Sequence, residues 1–528
     1  MIYLRRNFFP FILTFSFLII SKALTQDATS KHIRHIEIKR QDVFPEITGK
    51  PRFLYQWANS LHIVTRESVV RQELLFKKGD VFDPELLEES ERNLRRRAYF
   101  GEALVKVKNE ERDSVDVLVV TQDQWSTLFS TIIEQSDGRT VLGGAVEEFN
   151  FLGLGKQIYA ELQHERTVGS QWSFRYTDPQ ILGTRWTTLQ SFVTGPLVSR
   201  YFGQLVRPFY ALDTRWAFGV AGSVDDSIVR IFEAGDERNR YRSEINQFSV
   251  FGARALGGRF TKTRLQLRYR FAERDFSTIG EDPLVIDEIP TDELIHSLST
   301  RLSFENLHFV KEKQIDKFLR TEDLTLGSFT TFNLGRTGLP IPKGVKRFEF
   351  SASRREAHRI FHKQYLIALL GFQTLFEKNT IGFLRLKYYN KLLPHQTLAL
   401  NFEMDYAIDF EVPRPFLLGG DSGLRGFPAR EFTGDKRMLF NFEDRLFSSL
   451  NILTVALGGV LFFDAGHVWS EEQSVNLRDL NYSVGFGLRL GYTKSPRSRV
   501  GRIDFGWPLK GGSGLGITIG VDQQFSIN

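Results

Sequence analysis

The sequence predicts an all-β transmembrane antiparallel barrel preceded by one small α/β domain. Three observations predict it. Residues 397–410 alternate apolar and polar side chains without a break, a run longer than most soluble strands. The 528 residues include 48 Phe, 15 Tyr and 43 Gly with 25% charged residues, which suits strands with greasy outer faces and not a helical membrane bundle. Residues 31–120 mix helical and strand periodicities, whereas the chain from 124 onward reads as strands alone.

The first 26 residues read as a secretory signal peptide. Arg5 and Arg6 precede an apolar run over 8–20, and Ser21-Lys22-Ala23 offers a small-residue cleavage site. The run is short for a spanning helix, which needs about 20 residues. No later stretch reaches 18 consecutive apolar residues. A mature chain of this kind crosses a membrane only with strands, because lipid offers no partner to unpaired backbone groups.

Residues 31–120 form the α/β unit. Ile33, Ile36 and Ile38 mark a strand, and a polar insert over 51–65 follows. Residues 67–75 read as a helix stopped by Gly79-Asp80. Asp83 is placed to cap a second helix, with Pro84 at its first position and Glu85 near its positive end. Leu86, Leu87, Ser90 and Leu94 then share one face, and Arg95, Arg96 and Arg97 occupy the last turn. Leu104, Val105 and Val107 make a strand, and a turn over 109–114 leads to Val115, Val117 and Val119 in the last one.

Residues 124–528 are the barrel. Leu398, Leu400, Phe402, Met404, Tyr406, Ile408 and Phe410 alternate with Thr397, Ala399, Asn401, Glu403, Asp405, Ala407 and Asp409. Such a strand is roughly 45 Å long and, tilted, crosses an apolar band of about 25 Å with overhang. Leu265, Leu267, Tyr269 and Phe271 alternate likewise with Arg264, Gln266, Arg268 and Arg270. Leu515, Ile517, Ile519, Val521 and Phe525 are placed on the lipid face of the last strand. Burying the charged faces in a soluble core would be costly, whereas a wet lumen accepts them. By alternation alone, about twenty segments are strand-like. Residues 225–244 and 278–295 read as outer loops, and 311–322 as a charged loop or helical excursion.

Catalytic and cofactor signatures are missing from the sequence. Zero Cys excludes disulfides, thiolate metal sites and a cysteine nucleophile. There is no Gly-x-Ser-x-Gly, no His-Glu-x-x-His and no Gly-Lys-Ser/Thr loop. The expectation is no enzyme, no cofactor and no metal. The Lys plus Arg excess of 69 over 63 is spread along the chain and predicts no nucleic-acid partner.

Two sets of segments carry a family resemblance. The run "LFKKGDVFDPELLEESERNLRRRAYF" and the order strand, helix, helix, strand, strand resemble a POTRA domain. Within "FLLGGDSGLRGFPAREF" (416–432), Leu424-Arg425-Gly426-Phe427 resembles the Val-Arg-Gly-Phe/Tyr motif of the BamA/TamA-like outer-membrane assembly-factor superfamily. "NFEDR", "FFDAGHVW" and "RIDFGWPL" downstream, and "FNFLGLGKQIYAEL" and "YTDPQILG" upstream, resemble other barrel segments of that family.

The resemblance implies a barrel of 16 strands in the outer membrane of a Gram-negative bacterium, with the POTRA unit in the periplasm. It implies that loop 411–436 folds back into the lumen and that Arg425 grips acidic wall residues. Alternation puts Asn441, Glu443 and Arg445 on one inner strand face, and Phe462, Asp464 and Gly466 on another, so Arg425 can meet Glu443 and Asp464. The implied function is assistance in inserting, assembling or translocating proteins through POTRA docking and a lateral barrel seam. The alternatives are a dedicated two-partner-type secretion pore and a passive channel lined by Arg264, Arg268 and Arg270. The implied partners are outer-membrane lipid, unfolded outer-membrane or secreted clients at the POTRA edge, and accessory periplasmic proteins or lipoproteins.

Overall fold

The computed structural model describes residues 31–45, 52–136, 139–233, 236–279, 290–341, 346–375, 378–409, 416–512 and 514–527. The expected signal peptide, 1–26, lies outside them, as do residues 411–415 of the expected loop.

The N-terminal domain comprises β1 (His32–Gln41), α1 (Arg52–Leu61), α2 (Glu67–Glu73), α3 (Pro84–Arg96), β2 (Phe100–Glu110) and β3 (Ser114–Asp123). Its sheet order is β1-β3-β2, with β3 parallel to β1 and antiparallel to β2. The central strand carries the alternating valines, and Val115, Val117 and Val119 pack with Ile33, Val70, Leu94 and Phe100 in one core. Asp83 caps α3 by accepting from the Glu85 N–H at 2.9 Å. The stretch read as a polar insert contains α1. That helix buries none of its residues, so it shows no core-facing stripe.

The strands of the main sheet begin with β4 (Thr127–Ser136), β5 (Arg139–Phe151), β6 (Lys156–Glu165), β7 (Gly169–Asp178), β8 (Thr187–Gly195) and β9 (Val198–Arg207). They continue with β10 (Trp216–Glu233), β11 (Asp236–Gly257), β12 (Thr261–Thr278), β13 (Glu293–Glu312), β14 (Glu322–Thr337), β15 (Phe348–Phe361), β16 (Gln364–Leu375), β17 (Lys378–Asn390) and β18 (Gln396–Ile408). A separate small hairpin, β19 (Phe416–Leu418) with β20 (Phe432–Gly434), interrupts the series. The sheet resumes with β21 (Lys436–Ile452), β22 (Val455–Trp469), β23 (Asn481–Tyr492), β24 (Val500–Lys510) and β25 (Gly516–Val521). Successive strands pair antiparallel, and β18 pairs directly with β21 across the inserted hairpin.

The sheet therefore has twenty strands, not the 16 that the resemblance implies. Five of them follow the hairpin loop and fifteen precede it. Part of the reason is visible at 225–244, read as an outer loop. It is the far end of the β10–β11 hairpin, paired out to Glu233 and Asp236. Arg242 grips Asp226 across the two strands at 2.8 Å and Arg200 reaches Asp225 at 2.5 Å. Apolar residues at both parities of β10 (Ile228, Val229) and the charged run of β11 erase the period-two signal there without preventing strand pairing.

The side-chain distribution is inverted relative to a soluble sandwich. Leu267, Leu370 and Ile519 are 52%, 61% and 76% exposed, while Thr397, Asn401, Glu443 and Asp464 are at most 1% exposed. Apolar groups point out and polar groups in, as a lipid-facing barrel requires.

Two segments enter the lumen from the end where the N-terminal domain sits. Residues 313–321, the charged stretch between β13 and β14, bend inward. Ile315 packs against Leu324, Tyr365 and Tyr389, and Phe318 packs against Phe447 and Val500. The C-terminus joins them. After β25, Asp522 adopts φ +66° and the tail turns inside. Phe525 was expected on the lipid face, but it lies 8% exposed in the same inner cluster. The alternation ends with the strand at Val521, so its parity cannot be extrapolated four residues further.

Candidate functional site: a buried ion-pair core in the lumen

The loop between β18 and β21 enters from the opposite end, and its tetrad sits against β21–β25. Leu424 and Phe427 belong to an apolar cluster with Leu418, Leu439 and Val468. Between them Arg425 turns the other way and is fully buried. Its Nε and Nη2 each donate to Asp464 at 2.8 Å, and Nη1 donates to Glu443 at 2.7 Å. The Arg425 backbone N–H also donates to Asp464 at 3.2 Å. The guanidinium lies 3.6 Å from the centroid of the Phe462 ring. A planar fork thus takes one carboxylate bidentately, a second end-on, and an aromatic face beneath.

Glycines make room for this arrangement. Gly426 has φ +92°, a conformation that side-chain-bearing residues rarely adopt. A Cβ on Gly506 would fall 2.7 Å from the Gly426 nitrogen, and one on Gly516 2.6 Å from its Cα. A Cβ on Gly466 would meet Leu418 at 2.9 Å, and one on Gly485 would strike the Phe462 ring at 2.3 Å.

All eight residues singled out in the sequence, Leu424 to Phe427 with Glu443, Phe462, Asp464 and Gly466, therefore meet at one place. Alternation had placed Asn441 and Arg445 on the inner face without assigning them partners, and sequence reasoning missed Asp504, Arg489, Asp316 and the tail. Asn441 bridges Asp464 and the Gly423 carbonyl, both at 2.7 Å. Asp504 stands 3.7 Å from Arg425 and accepts from Arg489 at 2.6 Å. Arg445 donates to Glu443 and to Asp316 at 2.8 Å each, and to the Phe525 carbonyl at 2.7 Å. Asp316 in turn accepts from the Ile527 N–H at 2.9 Å. The chain Asp464–Arg425–Glu443–Arg445–Asp316 thus links the loop from one end of the lumen to the turn and tail from the other. Asp504 lies within the segment "RIDFGWPL", and strand parity with Arg502 could have placed it inward. Nothing in the sequence announced the tail.

The N-terminal domain docks on the same end as the 313–321 turn. Arg95 of α3 makes a bidentate pair with Asp323 at 2.8 and 2.6 Å, and it also pairs with Glu91. Lys311 pairs with Glu91, Arg320 donates to the Arg95 carbonyl, and the Thr321 N–H donates to Glu102 at 2.8 Å. Arg259, from the β11–β12 turn, bridges Asp83 and Asp213 at 2.9 Å. Arg66 N–H donates to Gly153 in the β5–β6 turn at 2.9 Å. Behind this junction Asp123 is fully buried, and accepts from the Thr65 N–H and hydroxyl at 2.7 and 2.8 Å. Burial pushes its carboxyl up to about 6, against the opposing pull of those two donors. The free edge of β2 is partly closed. Its Val105 N–H donates to Glu91 at 2.9 Å and its Ala103 carbonyl accepts from Arg95 at 3.2 Å.

Comparison with known proteins agrees with this architecture. Residues 61–122 match the POTRA family, described as a surface antigen variable number repeat, and residues 325–528 match the Omp85 superfamily domain. The chain carries a POTRA domain followed by an Omp85 superfamily domain, a combination consistent with the BamA/TamA-like superfamily. A putative outer membrane protein assembly factor of Treponema pallidum (strain Nichols) is 33% identical over 114 residues. That alignment covers 20% of this chain and only 13% of the relative. Similar solved structures include CdiB from Acinetobacter baumannii, 12% identical with a TM-score of 0.42 over 94% of this chain and 74% of that one. CdiB from Escherichia coli is 13% identical, with a TM-score of 0.44 over 94% and 76%. BamA from Haemophilus ducreyi lacking POTRA domains 1–3 is 14% identical, with a TM-score of 0.35 over 93% and 83%.

Proposed function

We propose that the chain assists insertion or assembly of other proteins at the outer membrane. A secretory leader over 1–26 is removed. A periplasmic POTRA domain over 31–120 receives unfolded clients, and a barrel over 124–528 offers them a seam. The observation that carries this reading is the geometry of the closing strand. The strand order brings β25 beside β4. β25 has six residues, the shortest strand of the sheet, whereas its other neighbour β24 has eleven. It is short because Asp522 sends the tail into the lumen. Among the described residues β25 and β4 share no residue register, whereas every other neighbouring pair of the sheet does, and the six residues of β25 are too few to cover the ten of β4.

Unpaired backbone groups in lipid cost several kcal/mol each, so a client strand that pairs there is templated at a lowered barrier. The ion-pair core of Arg425, Glu443 and Asp464 holds the loop across β22–β25, and so sets the stiffness of one side of the seam. The POTRA contribution is β1, whose outer edge is taken at its start by residues 79–82, with the Ile33 N–H donating to the Asp80 carbonyl at 2.9 Å and the Gly79 N–H to the Ile33 carbonyl at 2.8 Å, and offers the remainder of its length beyond Ile33. An extended client can add there as a further strand.

Depletion in the native host tests the proposal. Broad loss of outer-membrane barrels supports it. Loss of one secreted protein would establish dedicated export instead, and altered solute permeability alone would establish a channel.

A further inference from the structure

Helix α1 has no role in the core, and its apolar face is bare. Phe53, Trp57 and Leu61, spaced four residues apart, are 68%, 63% and 55% exposed, and Leu54 lies beside them. The opposite face anchors the helix. Tyr55 stacks on Phe44 with ring centroids 4.4 Å apart, and Asn59 donates to the Phe44 carbonyl at 2.9 Å. Phe44 in turn lies 5.6 Å from the Lys494 ammonium in the β23–β24 turn. At the other end of the helix, Ile63 reaches to within 3.3 Å of where a Cβ on Gly153 would stand, in the β5–β6 turn. Ile63 and Leu152 are themselves half exposed, at 52% and 47%, so the apolar stripe runs on into the barrel rim. The two turns that hold α1 flank β24, β25, β4 and β5. The helix is thus pinned beneath the closing join.

We infer that α1 is an interfacial helix whose Phe53–Trp57–Leu61 stripe embeds in the lipid surface beside that join. A soluble domain gains nothing from displaying Phe, Trp and Leu together on an otherwise unburied helix. Aromatic and leucine side chains opposite a polar face, at the level of a barrel rim, suit the headgroup boundary. Continuity with Ile63 and Leu152 selects lipid as the occupant, since those residues lead to the lipid-facing wall. The helix ties the POTRA domain to the membrane at the join and perturbs lipid packing where client strands would enter. The inference rests on the outer-membrane reading proposed above.

The chain contains no Cys, so single labels need no background removal. Nitroxide is placed at F53C, W57C or L61C, at Q56C on the polar flank, and at L267C on the barrel's apolar face. Each full-length variant is reconstituted in phosphatidylcholine vesicles and its folding checked by heat-modifiable mobility. Accessibility to oxygen is compared with accessibility to a water-soluble nickel chelate. The expected result is a high oxygen-to-nickel ratio at 53, 57, 61 and 267, and a low one at 56. A low ratio at 53, 57 and 61 with a high one at 267 overturns the helix inference and leaves the barrel standing. A low ratio at all five overturns the membrane reading itself. Protection at 53, 57 and 61 that appears only after adding an unfolded barrel protein assigns the stripe to clients and overturns the lipid assignment.

Discussion

Replacing Arg425 by Ala isolates the contribution of the lumen core. The side chain supplies three charge-assisted hydrogen bonds, all fully buried, to Asp464 and Glu443. Removing one member of a buried pair typically costs 3–5 kcal/mol, because the partner charge is left uncompensated. Here the stranded groups keep some company. Asp464 retains Asn441, and Glu443 retains Arg445 at 2.8 Å. The expected cost is therefore near the lower bound, about 3 kcal/mol. It falls on the loop more than on the wall, since the wall strands keep their ladders. In native-state hydrogen exchange the loop amides report this directly, notably the Leu424 and Gly420 N–H groups, which donate to Gly419 and Pro428 at 2.9 and 3.1 Å. About 3 kcal/mol corresponds to roughly 150-fold faster exchange there, with β9 and β10, opposite β21 and β22 in the strand order, unchanged. Arg425→Lys, which keeps the charge but cannot fork, should fall between the two. Unchanged loop exchange in Arg425→Ala, or equal acceleration on the far wall, would refute the assignment of loop holding to this residue.

Three further outcomes are expected. Gly506→Val adds a side chain where even a Cβ lies 2.7 Å from the Gly426 backbone, so it should expel the loop and reproduce the exchange pattern of Arg425→Ala with every charge intact. Deleting residues 523–528 removes the acceptor for Arg445 and the donor to Asp316, so trypsin should cut at Lys313 or Lys317 in the folded barrel severalfold faster than in the full chain. The buried carboxyl of Asp123 binds its proton more tightly folded than unfolded, since its value rises from 3.8 to about 6. Its contribution is complete below about pH 3.8 and is lost as pH rises through about 6, a change of about 3 kcal/mol. Pulse proteolysis of the POTRA domain in the full-length chain at pH 4 and pH 7 should therefore show Asp123→Asn gaining stability relative to the parent as pH rises, whereas a pH-independent difference would contradict the burial argument.

What the sequence made legible follows from where periodicity survives. The alternation expected over 397–410 is a strand over Gln396–Ile408, and the inner face of Asn441, Glu443 and Arg445 lies on β21, because lipid on one side and lumen on the other impose strict alternation. The Asp83–Pro84 helix start was equally plain, because capping is local. The β10–β11 hairpin was not legible, since beyond residue 225 apolar and polar residues fall at both parities of β10 while β11 is mostly charged, and its pairing rests on backbone bonds that leave no mark in side-chain type. Helix α1 failed for the opposite reason. Phe53, Trp57 and Leu61 face away from the core among the described residues, so the segment was read only as part of a polar insert. In the site, Arg425, Glu443 and Asp464 followed from a motif and strand parity. Asp316, Phe525 and Ile527 did not, because a tail bending back into a lumen is a long-range event with no local signature. The strand count shows the limit of resemblance: the segments that carry it leave β8 to β18 without a match, so the number of strands there could not be read from it.

The claim on which the account turns is that the join between β25 and β4 is where clients pair. A photo-crosslinking residue placed in turn at Phe129 on β4, at Ile519 on β25 and at Leu370 on the far wall, each lipid-facing and exposed, tests it in living cells. The account predicts that newly made outer-membrane barrels are captured at 129 and 519 and not at 370. Equal capture at all three sites, or capture at 370 alone, would contradict it.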